Sequence, residues 1–214
     1  MSIKENTVFL TVTNSRFIPI TENLIKSLNY YHPNIDLHIV CINTTNDEID
    51  YMKSLHKNLY PIIATEKFES EDHEKGYCCW CRTWNILNVM LSKNKNVFYL
   101  DADIFLRGSL EELFPYLNEA GIMIRAKNSN PQEYRGNNGM IWVKNTPLNH
   151  KIIIDWIHKT RAKGKIWLAE QLALNEIVRE NWDKINYKDF PKKFNGISTN
   201  EESVIIHMKG PKNL

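Results

Sequence analysis

The sequence predicts an α/β fold in which a mostly parallel central sheet is flanked by helices. Short apolar runs such as Leu37–Ile42 are bounded by turn residues, which is typical of strands buried on both faces of a parallel sheet. These runs alternate with stretches of helical length, as in doubly wound folds. A chain of 214 residues has the length of one such unit, so residues 1–214 are expected to form a single domain.

The first half of the chain is expected to contain strands that alternate with helices. Val8–Thr13 is β-branched and apolar, which favours a strand, and Val97–Leu100 is a second apolar run of this kind that ends on Asp101. The polar stretch Thr65–Gly76 lacks periodicity, so it is predicted to be a mobile loop that acts as a lid. The other elements expected here are helices at Ile20–Asn29, Asp47–Leu59 and Tyr77–Leu91 and strands at Leu37–Ile42 and Tyr60–Ala64.

The second half is expected to continue in the same way. Ser109 should open a helix, because Glu111 and Glu112 fall in its first turn, where the helix dipole favours acidic residues. The remaining expected elements are strands at Gly121–Arg125, Met140–Val143 and Val204–His207 and helices at Lys151–Lys159 and Leu168–Arg179.

Charge and hydropathy exclude several classes of partner. The chain has 27 Lys and Arg against 25 Asp and Glu, and its formal net charge of +2 is scattered, so no nucleic-acid partner is expected. No run approaches the roughly 20 apolar residues of a membrane-spanning helix. The apolar stretch Val8–Val12 is too brief for a signal sequence, so a cytoplasmic protein is expected.

Four cysteines do not make a disulfide framework in a chain of this size. They are Cys41, Cys78, Cys79 and Cys81, and Cys78 and Cys81 have the spacing of a zinc or redox pair. A structural zinc site needs two further ligands, and no second pair has matching spacing. The expected state is therefore reduced thiols buried along a helix, with metal or redox chemistry as the alternative.

Two aspartates at the end of one strand are the strongest chemical signal. Asp101 and Asp103 follow the apolar run that ends at Leu100, and the carboxyl ends of parallel strands are where ligands bind. Two adjacent carboxylates repel each other, so the pair implies either a divalent cation or a raised pKa. A cation held there would bind a diphosphate. The alternative is a simple strand-end turn.

The segment from Asp101 to Phe114 resembles the metal-binding segment of GT-A glycosyltransferases, especially family 8. That segment pairs Asp-x-Asp with a helix that ends in Leu-Phe, and both halves are present here. The resemblance implies the GT-A fold and a nucleotide-sugar donor, with uracil as its base. It also implies donor contacts at Asp101 and Ala102 and Mn²⁺ (or Mg²⁺) as the cofactor.

Two further segments resemble family 8 in the order that the family requires. Asn138 and Gly139 match its Asn-Ser-Gly turn, which frames the donor sugar, although a plain Asn-Gly turn is the alternative. Glu170 and Gln171 match its Asp-Gln-x-x-Leu-Asn segment, whose acid and amide contact the sugar, so they are the implied catalytic residues. The acid here is one methylene longer than the family's Asp, and both residues also suit an ordinary first helical turn.

The end of the chain resembles the family's His-x-x-Gly-x-x-Lys element. In that element the histidine is a metal ligand, and the glycine and lysine bind the diphosphate. His207 would complete an Asp101, Asp103 and His207 set, and this nitrogen and oxygen ligand set favours manganese over magnesium. The lysine spacing is shorter by one, so diphosphate contacts are assigned to Gly210 with Lys209 or Lys212.

The remaining donor contacts are expected near the nucleotide. Arg82 lies on the helix before the metal strand, where similar enzymes carry a basic residue towards the donor, although a solvated helix residue is equally consistent with the sequence. Thr11, Thr13 and Asn14 are the expected neighbours of the base and ribose, and strand termination is their alternative role.

The prediction is a metal-dependent glycosyltransferase, retaining by resemblance to family 8, with an undefined glycan, lipid or protein acceptor. Exposed tryptophans such as Trp142, Trp167 or Trp182 are candidates for stacking on a glycan. One alternative is a phosphatase of the haloacid dehalogenase type that uses Asp101 as nucleophile and Asp103 as acid and base, although a later acidic pair is missing. The other is a sugar-nucleotide or glycan-binding domain without catalysis.

Overall fold

A computed structural model describes residues 4–128, 134–164, 166–194, 196 and 202–208. Seven strands form the central sheet in the order β3-β2-β1-β4-β7-β6-β8, and β5 pairs with β9 in a second, two-stranded sheet. The strands are β1 Thr7–Asn14, β2 Leu37–Ile42, β3 Leu59–Ala64, β4 Asn96–Leu100, β5 Ile104–Leu106, β6 Ile122–Asn128, β7 Arg135–Val143, β8 Tyr187–Asp189 and β9 Ile205–His207.

The central sheet is mostly parallel. Strand β7 is antiparallel to both β4 and β6, whereas the other four pairings are parallel. This confirms the α/β class predicted from the sequence. The carboxyl ends of β1 and β4, two neighbouring parallel strands, therefore lie at one edge of the sheet.

In the described part of the chain, six α-helices cover the two faces of the sheet. Alternate residues of β1 point to opposite faces, so Val8 belongs to one core cluster and Phe9 to the other. Residues of α3, α5 and α6 complete the first cluster, and residues of α1, α2 and α4 complete the second. The helices are α1 Ile18–Tyr31, α2 Asn46–Leu55, α3 Glu71–Lys93, α4 Phe114–Glu119, α5 Pro147–Ala162 and α6 Ala169–Glu180. None of them, among the described residues, is both long and apolar enough to cross a membrane.

The prediction of a mobile loop over Thr65–Gly76 is wrong for its second half. Helix α3 begins at Glu71, because the Ser70 hydroxyl accepts a hydrogen bond from the backbone N–H of His73 at 3.1 Å. Acidic residues in the first turn, such as Glu74, also favour this helix end. The segment predicted to be a lid therefore supplies the first turn and a half of a 23-residue helix.

Two other local predictions also fail. Helix α4 begins at Phe114 instead of Ser109, with Pro115 in its first turn, where the missing N–H of proline has no cost. The predicted Asn138 and Gly139 turn lies inside β7, which is longer than expected. The short strands β5 and β8 were not predicted, because three-residue strands carry too little periodicity.

The second sheet decides where the end of the described chain lies. Strand β5 directly follows the Asp101 and Asp103 motif, and its pairing with β9 aligns Ile104 with His207. The backbone N–H of Met208 donates to the carbonyl oxygen of Asp103 at 2.9 Å. Residues a hundred positions apart are thereby fixed beside the carboxyl end of β4.

Candidate metal and donor site

The predicted metal ligands converge. One ligand atom each from Asp101, Asp103 and His207 lies within 4.8 Å of the other two. His207 Nε2 is 3.0 Å from Asp103 Oδ1 and 3.7 Å from Asp101 Oδ2. The three side chains are 23%, 18% and 13% exposed, so an ion and its ligand can reach them from solvent.

These distances fit a divalent ion. Two ligand atoms at right angles on an ion with bonds of about 2.1 Å lie roughly 3 Å apart, and opposite ligands lie roughly 4.2 Å apart. Gly139 gives His207 and Asp101 the room to approach each other, because it has no side chain. A Cβ atom added at this position would lie 2.4 Å from His207 Cε1 and 3.0 Å from Asp101 Oδ2. Two carboxylates and one imidazole are a donor set for manganese or magnesium.

Two side chains contact one carboxylate oxygen of Asp101 and fix its orientation. The Tyr99 hydroxyl donates to Asp101 Oδ1 at 2.7 Å, and Arg82 Nη1 lies 3.5 Å from the same oxygen. The guanidinium carbon also sits 4.7 Å above the Tyr99 ring. The other carboxylate oxygen of Asp101, Oδ2, therefore faces His207. Sequence reasoning missed Tyr99, although it lies in β4 only two residues before Asp101, a spacing that brings side chains of an extended chain to the same side.

Arg82 bridges two carboxylates inside the protein. Its Nε lies 3.6 Å from Glu170 Oε1, and Nη1 donates to the carbonyl oxygen of Asn138. The Glu170 side chain is only 2% exposed, and its burial raises the pKa of the carboxyl group to about 7 against the opposing effect of Arg82. Arg82 is thus not the solvated helix residue that the sequence also allowed. It ties Glu170 on α6 to Asp101 beside β4.

The sugar-framing candidates lie around this bridge. Asn138 is buried, and its carbonyl oxygen is the one that accepts from Arg82. The carbonyl oxygen of Gly139 accepts a hydrogen bond from the backbone N–H of Asp101 at 2.8 Å. Gln171 follows Glu170 in the first turn of α6 and is partly exposed. The backbone oxygen of Glu170 accepts a hydrogen bond from Trp156 Nε1 at 2.9 Å, which fixes the start of the helix.

A cavity of about 190 Å³ opens beside the metal cluster. Thr13 and Asn14, two of the predicted neighbours of the nucleotide, line it. The third, Thr11, is fully buried in β1 and is not among the described lining residues. Asn14 Nδ2 donates to Glu74 Oε1 at 2.6 Å, so the start of α3 closes one side. The cavity lies between the carboxyl ends of β1 and β4, helix α3 and the segment just before α6. Its lining includes Phe17, Glu71, Lys75, Arg82, Asp101, Ala102, Asp103 and Trp167.

The cysteines remain free thiols. Cys78 and Cys79 line the cavity on α3, and burial raises the pKa of Cys79 to about 11 and that of Cys78 to about 12. Such thiols are weak nucleophiles and weak metal ligands at neutral pH. Lys209, Gly210 and Lys212, the predicted diphosphate contacts, lie outside the described residues.

The profile of the nucleotide-diphospho-sugar transferase family matches residues 39–212. The chain belongs to this family. The match includes both aspartates, Arg82 and the Glu170 segment, and it decides against the phosphatase interpretation of Asp101 and Asp103. No curated protein sequence matches this chain.

Solved structures show the same fold. The glycosyltransferase GlyE of Streptococcus pneumoniae TIGR4 aligns with a TM-score of 0.66 at 15% identity, over 94% of this chain and 53% of GlyE. The galactosyltransferase LgtC, solved with donor and acceptor sugar analogues, aligns with 0.64 at 14% identity, over 95% and 87% of the two chains. Mouse xyloside xylosyltransferase 1 aligns with 0.59 at 12% identity, over 95% and 98%. This chain therefore has the GT-A fold, and it spans about half the length of GlyE.

Proposed function

We propose that this protein transfers a sugar from a nucleotide diphosphate donor, a UDP-sugar by family likeness, to an acceptor hydroxyl in a metal-dependent reaction. The convergence of Asp101, Asp103 and His207 beside a cavity that both aspartates line carries this proposal. The three residues come from two distant parts of the chain, and a purely structural role would not require their exposed oxygen and nitrogen atoms to meet.

Asp101, Asp103 and His207 would hold a divalent ion, and the imidazole favours Mn²⁺ over Mg²⁺. When bound, such an ion supplies Lewis-acid stabilisation of the negative charge on the leaving diphosphate. The protein's own contribution is preorganisation. Tyr99 and Arg82 fix Oδ1 of Asp101 and leave Oδ2 turned towards His207, so no reorganisation is needed when the donor binds.

The two ends of the donor are assigned by position. Thr13 and Asn14 are proposed beside the base and ribose, because they end β1 and line the cavity. The buried Thr11 would support them from within the strand. Gly210 with Lys209 or Lys212 is proposed at the diphosphate. Glu170 and Gln171, with Asn138 and Gly139, are proposed at the sugar, since the Arg82 bridge anchors them to the metal cluster.

Retention of the anomeric configuration fits the carboxylates that line the cavity. An inverting enzyme needs a free carboxylate beside the acceptor hydroxyl to act as a base. Asp101 and Asp103 belong to the proposed metal set. Glu74 is paired with Asn14 and Arg16, and Glu71 is paired with Lys75 and Arg16. Proton NMR of the first product, compared with the donor, tests this, and inversion would contradict the assignment.

The decisive experiment measures UDP or GDP release from a panel of nucleotide sugars with and without Mn²⁺. We expect metal-dependent release from one donor, which Asp103→Asn lowers at least about 100-fold, because the metal set is broken. Asp183→Asn, an exposed aspartate outside the site, is the matched control and should behave like the wild type. The absence of both release and metal-dependent binding for every donor, or equal activity of the two variants, would overturn the proposal.

A further inference from the structure

Trp167 is a large aromatic side chain that lines the cavity and yet remains open to solvent. It is 59% exposed and shares the lining with Asp101 and Asp103. Burying such a ring against a ligand would stabilise a complex, because it removes a large apolar area from water.

The other tryptophans named from the sequence do not have this arrangement. Trp142 is fully buried in the core, and Trp182 packs against the rings of Tyr134 and Tyr187. Trp84 is 51% exposed on α3, but it is not among the described residues that line the cavity. Exposure and cavity lining coincide at Trp167 alone among these four.

The backbone next to Trp167 is strained. Leu168 has a φ of 68°, in the left-handed region that L-residues with a Cβ avoid, and α6 begins directly after it. The two other non-glycine residues with positive φ in the described ranges are Asn43 and Asn94, and asparagine tolerates this conformation. Strain of this kind persists at sites where it orients functional groups. Here it lies between the exposed Trp167 and the buried Glu170.

The chemistry of the cavity selects the class of ligand. A sugar ring has a face of C–H groups, which matches the apolar face of an indole, and an edge of hydroxyl groups. Carboxylate groups accept hydrogen bonds from that edge. Beyond the proposed metal ligands and donor contacts, the cavity offers them at Glu71 and Glu74. An indole that shares a cavity with two such acceptors is thus suited to a neutral, hydroxyl-rich ring.

We propose that Trp167 is the platform on which a sugar ring of the acceptor stacks, so that the acceptor is a saccharide. This inference rests on the proposed transferase function, because it names the second substrate of the same site. The two positions are complementary: the donor occupies the ends of β1 and β4, and the acceptor approaches from the start of α6.

The test uses saturation-transfer NMR with methyl glycosides of glucose, galactose and N-acetylglucosamine, both with and without UDP and Mn²⁺. We expect at least one glycoside to bind, Trp167→Ala to weaken it about tenfold, and Trp167→Phe to restore part of the affinity. Trp84→Ala is the matched control and should bind like the wild type. A glycoside that also accepts sugar should show the loss in KM for the acceptor.

Several results would overturn the inference. One is that no glycoside binds to the wild type. Another is that Trp167→Ala and Trp84→Ala lose the same amount of glycoside affinity. Binding of an octyl glycoside without its methyl counterpart, lost in Leu172→Ala but kept in Trp167→Ala, would instead indicate a lipid acceptor on the exposed Leu172.

Failure of the two proposals can be told apart. Metal-dependent donor hydrolysis by the wild type without any glycoside binding would leave the transferase function standing and remove the saccharide platform. Glycoside binding that depends on Trp167, together with no donor binding or hydrolysis, would remove the transferase function and leave Trp167 as a saccharide-binding residue.

Discussion

The site holds two groups of charged side chains that differ in their access to solvent. The metal cluster of Asp101, Asp103 and His207 is partly exposed, at 13–23% of each side chain. The bridge from Arg82 to Glu170 is buried, at 9% and 2%. Asp101 belongs to both, since Oδ1 faces Arg82 and Oδ2 faces His207.

This difference separates the residues that meet a ligand from those that hold the site in shape. Buried charges are costly unless paired, so the bridge must persist in the free protein. The partly exposed cluster keeps its ligand atoms available. Substitutions in the bridge should therefore appear first in stability, and substitutions in the cluster should appear first in metal affinity.

The largest stability effect is expected from Arg82→Met. The change leaves the buried Glu170 without its cation, and we expect a loss of about 3–5 kcal/mol in the free energy of unfolding at pH 8. Urea denaturation measures it. Arg16→Met is the control, because Arg16 also faces two acids, Glu71 and Glu74, but with a side chain that is 55% exposed, so its loss should stay below about 1 kcal/mol. Equal losses would remove the distinction between the two groups.

A smaller effect is expected from pH. Burial raises the pKa of Glu170 from its ordinary 4.5 to about 7, so the folded state binds this proton more tightly than the unfolded state. The free energy of unfolding should therefore fall as pH rises from 4.5 to about 7, by up to about 3 kcal/mol from this group. Urea titrations of the metal-free wild type and of Glu170→Gln measure it. A difference between the two that is constant across this range would contradict the assignment.

The smallest effect is expected from Gly139→Ala in the metal cluster. A Cβ at this position would lie 2.4 Å from His207 Cε1, so the imidazole must move, and we expect Mn²⁺ affinity to fall about tenfold with little change in unfolding. Calorimetric titration with Mn²⁺ reports this. Gly108→Ala is the matched control, because its Cβ would meet only the Val204 side chain at 3.5 Å. Unchanged affinity in Gly139→Ala would show that His207 is not a ligand.

The sequence alone was sufficient for the fold class and for placing two of the proposed metal ligands at the end of one strand. Buried strands such as Leu37–Ile42 carry a continuous apolar run, and the placement of Asp101 and Asp103 after Leu100 follows from the local pattern. The sequence predicts helix α3 but places its start at Tyr77 instead of Glu71. The polar residues Glu71–Gly76 have no apolar periodicity, and the prediction does not use the capping residue Ser70.

Only the tertiary structure decided how distant residues meet. The pairing of β5 with β9 brings His207 to Asp103, and the packing of α3 against β4 and α6 turns Arg82 inward to Glu170. The structure also shows that Tyr99 is the hydrogen-bond partner of Asp101, and that Trp167 is exposed whereas Trp142 is buried. Local patterns fix which side chains a strand presents to each face, whereas contacts across a hundred residues depend on packing that no short window of sequence contains.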